Sequence, residues 1–179
     1  MAASRMTIVM IAHARMHAWL MMGAVLLFGC AKSAPPASVP AKPTSSVAAP
    51  VVKVAKGRIA FVRGYAQGYQ QALRDGRPMM VFFTAPWCQF CHQLEAEAFS
   101  DLQVSALSRR FVCLVVDAEQ EPNVCREFRV RGYPTIQFIT PQGVPLNRLV
   151  GKRSPAELVL EMQAALEATA ARSKQTSLR

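Results

Sequence analysis

The stretch that decides the fold is Thr84–His92, which reads TAPWCQFCH. The apolar run Met79–Phe83 precedes it and the helix-compatible residues 93–98 follow it, so the stretch lies where a strand gives way to a helix. Two cysteines three residues apart, Cys88 and Cys91, stand at this junction. Side chains at this spacing point to the same side of a helix, close enough to form a small disulfide ring. The sequence therefore predicts a dithiol at a strand-to-helix turn.

The position of Cys88 favours its ionised form. At a helix N-terminus the first backbone N–H groups are unpaired and the peptide dipoles add up to a partial positive charge. Cys88 would therefore be the attacking thiolate and Cys91 the resolving sulfur. A structural disulfide and half of a metal site are the alternatives. Zinc would need two further ligands and the sequence has no second CxxC or HxxxH, whereas His92 beside Cys91 leaves a Cu(I) site open.

Three segments resemble the thioredoxin superfamily. Residues 85–91, APWCQFC, are similar to the active-site entry of thioredoxin and protein disulfide isomerase, and Val116–Ala118 and Val130–Ile136 resemble its strand end and cis-proline loop. The resemblance runs from roughly residue 59 to residue 166. It implies an α/β thioredoxin-like fold, with a central mixed sheet flanked by helices in a single domain. It also implies thiol–disulfide oxidoreductase activity, which needs no metal or other cofactor because the electrons reside on sulfur.

The same resemblance assigns residues that hold a client. A cis proline faces the two sulfurs in this superfamily, which implies that Pro134 leaves the preceding backbone free to pair with an extended client segment. Tyr133 would line the client groove, and Trp87 would shield the reactive sulfur and offer the client a flat surface. A trans proline that begins the next strand is the alternative. The expected partners are protein thiols and disulfides, together with a membrane or periplasmic electron donor.

Two positions depart from the superfamily pattern. Many relatives bury a carboxylate six residues before the first cysteine, where this chain has Phe82, and a lysine where it has Cys113. Replacing both charges together is self-consistent, because either one alone would be costly to bury. Cys91 then lacks its usual base. Water or the imidazole of His92 is the candidate for proton transfer.

Cys113 and Cys125 are the remaining cysteines of the globular part. They allow three interpretations, which are a second disulfide, a second redox pair, or two separate buried thiols. A Cα separation above ~7 Å would exclude the disulfide.

The N-terminal region is typical of an exported lipoprotein. Residues 1–29 carry Arg5 and Arg15, no acid, and an apolar run of eleven residues, which is too short to span a bilayer and typical of a signal peptide. The segment ends in Leu-Phe-Gly-Cys, which resembles a bacterial lipoprotein box that is lipidated on Cys30. Cleavage without lipidation and an uncleaved anchor are the alternatives. Residues 30–56, rich in Ala, Pro and Ser, predict a flexible stem. We expect a protein lipid-anchored in the bacterial cell envelope and facing the periplasm.

The net charge of +10 does not indicate a nucleic-acid-binding protein. Residues 57–172 hold thirteen Lys and Arg and all eleven acidic residues, so most of the excess charge lies outside them. No basic patch with interleaved aromatic residues is present, so we expect no nucleic-acid partner. A separate dimerisation domain is also absent from the sequence pattern, and we expect a monomer.

The hydrophobic pattern predicts a folded domain at 57–172, which the resemblance implies is thioredoxin-like, and a disordered tail at 173–179. Its elements follow capping, turn and strand signals. They are helices at 64–74, 89–98, 100–109, 122–128 and 154–171, strands at 79–83 and 111–117, and a hairpin of strands 135–140 and 146–150.

The direction of electron flow is predicted from one further resemblance. Phe99-Ser100-Asp101 resembles the electron-delivering domain of membrane thiol:disulfide interchange proteins, which favours a reductase over an oxidase or isomerase. Two functions of other classes stay open. They are a copper(I)-binding or delivery lipoprotein that uses the same CxxC, and a non-catalytic binding module built on the thioredoxin fold.

Overall fold

A computed structural model describes residues 51–177. The predicted signal peptide, Cys30 and the stem up to residue 50 lie outside the described residues. The elements, in chain order, are β1 Lys53–Lys56, β2 Ile59–Arg63, α1 Tyr65–Asp75, β3 Met79–Thr84, α2 Gln89–Glu97, α3 Leu102–Ser108, β4 Val112–Asp117, α4 Pro122–Glu127, β5 Thr135–Ile139, β6 Pro145–Val150 and α5 Pro155–Ser177. None of the helices described combines the length and the apolar composition that a bilayer span requires.

The six strands form one mixed sheet in the order β1-β2-β4-β3-β5-β6. The three strands β2, β4 and β3 run parallel to one another, while β5 is antiparallel to β3 and pairs with β6 as a hairpin. Strand β1 is antiparallel to β2 and closes the other edge. The predicted α/β fold with a central mixed sheet flanked by helices is confirmed.

Strand β3 lies at the centre of the sheet, and all six of its residues are buried. Successive side chains of a strand point to opposite faces, so β3 supplies both layers of the core. Met80 and Phe82 pack on the face covered by α2, α3 and α5, and Met79, Val81 and Phe83 pack on the face covered by α1 and α4. A strand that is apolar on both sides is typical of the buried centre of a parallel sheet.

The last helix covers the first of these two faces. Leu158, Val159, Met162 and Ala165 are buried there, and their spacing places them on one side of α5. The helix begins with the capping box that the sequence predicts. The Glu157 carboxylate accepts hydrogen bonds from the backbone N–H of Ser154 at 2.9 Å and from its hydroxyl at 2.7 Å.

The structure differs from the predicted boundaries at both ends of the domain. Residues 53–56, which the sequence analysis assigned to the stem, form β1 and pair with β2 from Lys53 opposite Val62 to Lys56 opposite Ile59. The turn between the two strands depends on Gly57, where a Cβ atom would meet the backbone carbon of Phe99 at 2.6 Å. The strand has few apolar residues because it lies at an edge, so its sequence looks like stem.

At the other end, α5 continues to Ser177 and therefore runs through most of the predicted tail at 173–179. Ser173, Lys174 and Gln175 are compatible with a helix although they contribute nothing to the core. The hydrophobic pattern ends earlier than the helix for this reason.

Candidate active site

Cys88 lies at the N-terminus of α2, immediately after the loop that leaves the central strand β3. It is the N-cap residue of the helix, with φ −81° and ψ 96°, and its sulfur accepts a hydrogen bond from the backbone N–H of Cys91 at 3.2 Å. The strand, the buried Ala85 and the first helical turn together position this sulfur. A backbone N–H directed at Sγ and the positive end of the helix dipole both stabilise a thiolate at this position.

The two sulfurs of the motif are joined in a disulfide, and their Cα atoms are 5.2 Å apart. They differ in their access to solvent. Cys88 keeps 5% of its surface exposed, whereas Cys91 is fully buried. Of the two sulfur-bearing residues only Cys88 offers any surface to a client, and the division into attacking and resolving residues stays a prediction.

The predicted cis proline is present, because the peptide bond between Tyr133 and Pro134 is cis. The carbonyl oxygen of Pro134 accepts a hydrogen bond from the backbone N–H of Gly151 at 2.8 Å, which fixes the loop to the end of β6. Within residues 51–177, no backbone hydrogen bond of Tyr133 to another residue is formed. The backbone of Tyr133 is thus free to pair with an extended peptide.

Trp87 and Phe90 form an apolar rim around the disulfide, together with Tyr133. Trp87 is 66% exposed and Phe90 is 60% exposed, although both are large hydrophobic residues. The indole of Trp87 meets the ring of Tyr133 edge-on, with the ring centroids 5.9 Å apart. The sequence analysis named Trp87 and Tyr133 but missed Phe90. An aromatic residue between the two cysteines, at a position on the outer side of the helix, was the signal that could have identified it.

His92 follows Cys91 on α2 and is exposed. Its Nε2 atom lies 3.1 Å from the carbonyl oxygen of Pro86. Because a carbonyl oxygen can only accept a hydrogen bond, Nε2 carries the proton in this contact. In the neutral imidazole Nδ1 is then the nitrogen that can accept a proton.

Phe82 and Cys113, the two residues that depart from the superfamily pattern, are apolar or neutral groups in the same core layer as the CxxC. Phe82 is fully buried and contacts the ring of Phe99 edge-on, with the centroids 5.0 Å apart. Cys113 lies on the same face of the sheet, and burial raises the pKa of its thiol to about 12. Neither position can supply a charge beneath Cys91 at neutral pH.

Cys113 and Cys125 are both free thiols and both buried, so two of the three interpretations, the second disulfide and the second redox pair, are wrong. The physical reason is that they lie in different layers. Cys113 packs in the core layer under α2 and α5, whereas Cys125 packs in the layer under α1 and α4. The central sheet separates them.

A polar group beneath the client groove was not predicted from the sequence. The pKa of the Tyr133 hydroxyl is raised to about 12, mainly by burial and further by the thiol of Cys125 and the carboxylate of Asp117. Burial also raises the pKa of Cys125, which the contact with Tyr133 partly offsets. Both groups are therefore neutral at physiological pH. Only the packing of α4 against the cis-proline loop brings them together.

Residues 51–177 contain no group of three or more His, Cys, Asp or Glu side chains placed to hold a metal ion. Cys88, Cys91 and His92 therefore do not form such a group in the described part of the chain.

A mixed sheet with a CxxC at the start of the helix that follows its central strand, facing a cis proline, defines a protein of the thioredoxin class. The chain belongs to the thioredoxin-like family, because the family model described as a thioredoxin-like domain matches residues 65–166, more than half of the chain. The predicted superfamily is confirmed.

Three similar proteins represent the matches. The thioredoxin of Thermus thermophilus is 30% identical with a TM-score of 0.57, and the match covers 62% of this chain and 90% of that one. The thiol:disulfide interchange protein DsbD of Vibrio vulnificus is 30% identical over 148 residues, which cover 79% of this chain and 25% of that protein. The protein disulfide-isomerase of Gallus gallus is 40% identical over 74 residues, which cover 41% of this chain and 14% of that protein. The chain thus matches a quarter or less of the length of these last two relatives.

Proposed function

We propose that this chain is a membrane-tethered thiol–disulfide oxidoreductase of the bacterial cell envelope that exchanges disulfides with protein clients. The observation that carries the proposal is the Cys88–Cys91 disulfide at the N-terminus of α2, with the more accessible sulfur next in sequence to Trp87, whose indole contacts Tyr133 of the cis-proline loop. The relatives named as a thioredoxin, a thiol:disulfide interchange protein and a protein disulfide-isomerase support the reaction class.

In the reductase direction the reaction starts from the dithiol. The Cys88 thiolate attacks one sulfur of a client disulfide, so that a mixed disulfide forms and one client thiolate leaves. Cys91 then loses its proton and attacks Sγ of Cys88, which releases the second client sulfur and forms the Cys88–Cys91 disulfide. Two electrons pass from the enzyme to the client. A dithiol electron donor must then reduce the enzyme disulfide.

The site assigns each of these steps to a group. The backbone N–H of Cys91 holds negative charge on Cys88 during attack and departure. The rim of Trp87, Phe90 and Tyr133 binds apolar client side chains around the reacting sulfurs. The proton of Cys91 leaves to water or to His92, since Phe82 and Cys113 provide no base.

The reductase preference and the tether rest on the sequence. Phe99-Ser100-Asp101 supports electron delivery to clients, and the lipoprotein-like segment ending at Cys30 supports a lipid anchor. The stem between Cys30 and β1 would then let the domain reach clients away from the membrane surface.

The decisive experiment traps clients on Cys88. The full chain carrying Cys91→Ser is produced in a bacterial envelope, and proteins that separate from it only after reduction are identified. The control carries Cys88→Ser as well as Cys91→Ser and keeps Cys30, Cys113 and Cys125. We expect adducts with the single variant alone. Equal amounts of adduct with both variants would contradict the enzyme proposal, and so would insulin reduction that survives Cys88→Ala. A non-catalytic binding module would keep its partners when both cysteines are replaced.

Direction and tether need separate measurements. Alkylation of whole cells should find Cys88 and Cys91 mostly as thiols if the protein is a reductase, and mostly as a disulfide if it is an oxidase. Cys30→Ser should move the protein from the membrane fraction to the soluble one. A protein that stays in the membrane fraction after this change does not depend on lipidation of Cys30.

A further inference from the structure

A basic pocket lies at the edge of the sheet opposite the CxxC. It has a volume of about 290 Å³, and its lining includes the cationic side chains of Lys53, Arg58, Arg77 and Arg109. Arg58, Arg77 and Arg109 precede β2, β3 and β4, which are parallel. The N-terminal ends of these strands therefore meet here, whereas the disulfide follows the C-terminal end of β3.

The pocket lies where the pairing of two neighbouring strands ends. Strands β2 and β4 pair only between Val62 and Leu114 and between Arg63 and Val115. Strands β3 and β4, by contrast, pair at six positions. The pairing of β2 with β4 therefore does not extend to their N-terminal ends, where the cavity lies.

The charges around this cavity are not balanced. The lining residues include no carboxylate. Within residues 51–177, the side chains of Lys53, Arg58 and Arg109 make no ion pair or side-chain hydrogen bond. Three cations that face one cavity without a counterion repel one another, and an anion bound between them would relieve that repulsion.

Arg77 is held in place within the wall. One guanidinium nitrogen donates to the Asp75 carboxylate at 2.7 Å and another donates to the backbone carbonyl of Arg109 at 2.9 Å. The hydrogen bond from Arg77 lowers the pKa of Asp75, so that carboxylate stays ionised and keeps the guanidinium oriented. The contact also ties the end of α3 to the loop before β3. The wall of the pocket is thus ordered before any ligand arrives.

We propose that this basic pocket binds a phosphate-bearing anion, either a small soluble phosphate compound or the headgroup of an anionic lipid. Guanidinium groups match phosphate oxygens with paired N–H donors. Three unpaired cations exceed the single charge of a carboxylate and suit a phosphate group. The volume lies at the lower end of the range for small-ligand sites, which suits a phosphate rather than a large cofactor. The site is independent of the disulfide chemistry.

The test uses pyrophosphate and lipid vesicles with the full chain and two double variants. Arg58→Gln with Arg109→Gln removes two cations of the pocket, and Arg63→Gln with Arg74→Gln removes the same charge from exposed positions outside it. Calorimetric titration with pyrophosphate should show saturable binding to the parent and the control, weakened by roughly tenfold or more in the pocket variant. Equal binding by all three proteins would overturn the proposal.

Vesicles identify the source of the phosphate. Flotation of the full chain and both double variants, each carrying Cys30→Ser to remove the proposed anchor, is compared on phosphatidylglycerol and phosphatidylcholine vesicles. It should depend on Arg58 and Arg109 if a headgroup is the ligand, even where pyrophosphate does not bind. No saturable binding of pyrophosphate together with equal flotation of the pocket and control variants overturns the proposal. Far-UV circular dichroism and the rate of reduction of the Cys88–Cys91 disulfide should match in all proteins, which shows that the variants are folded and that the two sites are separate.

Discussion

The indole of Trp87 rests edge-on against the ring of Tyr133, with the centroids 5.9 Å apart. One residue precedes the reactive Cys88 and the other precedes the cis Pro134. The contact therefore joins the two segments of chain that the proposed function assigns to client binding, and it does so at the surface, where Trp87 stays two-thirds exposed.

Replacing Trp87 by Ala should weaken the reaction with protein disulfides more than that with small ones. The loss of an aromatic contact of ~0.5–1.5 kcal/mol corresponds to a KM raised roughly two- to tenfold for insulin. The rate with a small aromatic disulfide should change less, because such a substrate needs only the sulfur. Leu160→Ala is the matched control, since Leu160 is 65% exposed on α5. A similar change in KM for the control would remove the special role of Trp87.

His92→Ala tests the proton route. Nε2 donates to the Pro86 carbonyl, which leaves Nδ1 as the nitrogen that can accept a proton on the residue that follows Cys91 in the chain. We expect slower release of a client from the mixed disulfide between pH 6 and 8, with the initial attack by Cys88 little affected. Stopped-flow measurement of the two phases separates them. Unchanged rates across that pH range assign proton transfer to water.

The oxidised protein should contain one disulfide within residues 51–177. Cys113 and Cys125 are buried in separate layers of the core, and burial raises the pKa of both thiols, so iodoacetamide should modify them far more slowly in the folded protein than after denaturation. Mass spectrometry of peptides alkylated in guanidinium without a reductant should find both residues modified, while Cys88 and Cys91 stay unmodified. A peptide pair that links Cys113 to Cys125 is the result that contradicts this arrangement.

Cys113→Ala should flatten the loss of stability at alkaline pH. The pKa of this thiol rises from an ordinary 9.0 to about 12 in the folded protein, because burial disfavours the thiolate. The stability that the neutral thiol contributes is complete below pH 9 and is lost as the pH rises from 9 towards 12. The free energy of unfolding should therefore fall less steeply above pH 9 in the variant. Tyr65 and Tyr133 also titrate there, but they are common to both proteins.

Gly68→Ala should destabilise the protein although alanine favours helices. A Cβ atom on Gly68 of α1 would lie 2.0 Å from Cδ2 of Leu114 on β4. Overpacking costs about 1–3 kcal/mol and outweighs the helix-propensity gain of about 1 kcal/mol. Urea unfolding measures the loss. With Leu114→Ala present the effect of Gly68→Ala should shrink or reverse, and an unchanged effect in that background would show that the clash is not its cause.

The central strand β3 and the CxxC motif could be predicted from the sequence. Met79–Thr84 is apolar at nearly every position, and the CxxC follows it within a few residues, so both depend on neighbouring residues only. The capping box of α5 was also predicted and is present. Strands β1 and β2 were both missed. The four residues of β1 are held by pairing with β2 and by the Gly57 turn rather than by hydrophobicity.

The sequence by itself determined the order of the elements from α1 onwards, the redox motif and the cis-proline loop, since each is encoded by a local pattern of apolar, turn and cysteine residues. Only the tertiary structure decided that Cys88 is the reachable sulfur, that Cys113 and Cys125 lie in separate layers, and that Arg58 and Arg109 face one cavity. These relationships join residues far apart in the chain. They depend on which face of the sheet each helix covers and on where the pairing of β2 with β4 ends. A local sequence pattern does not specify either of these.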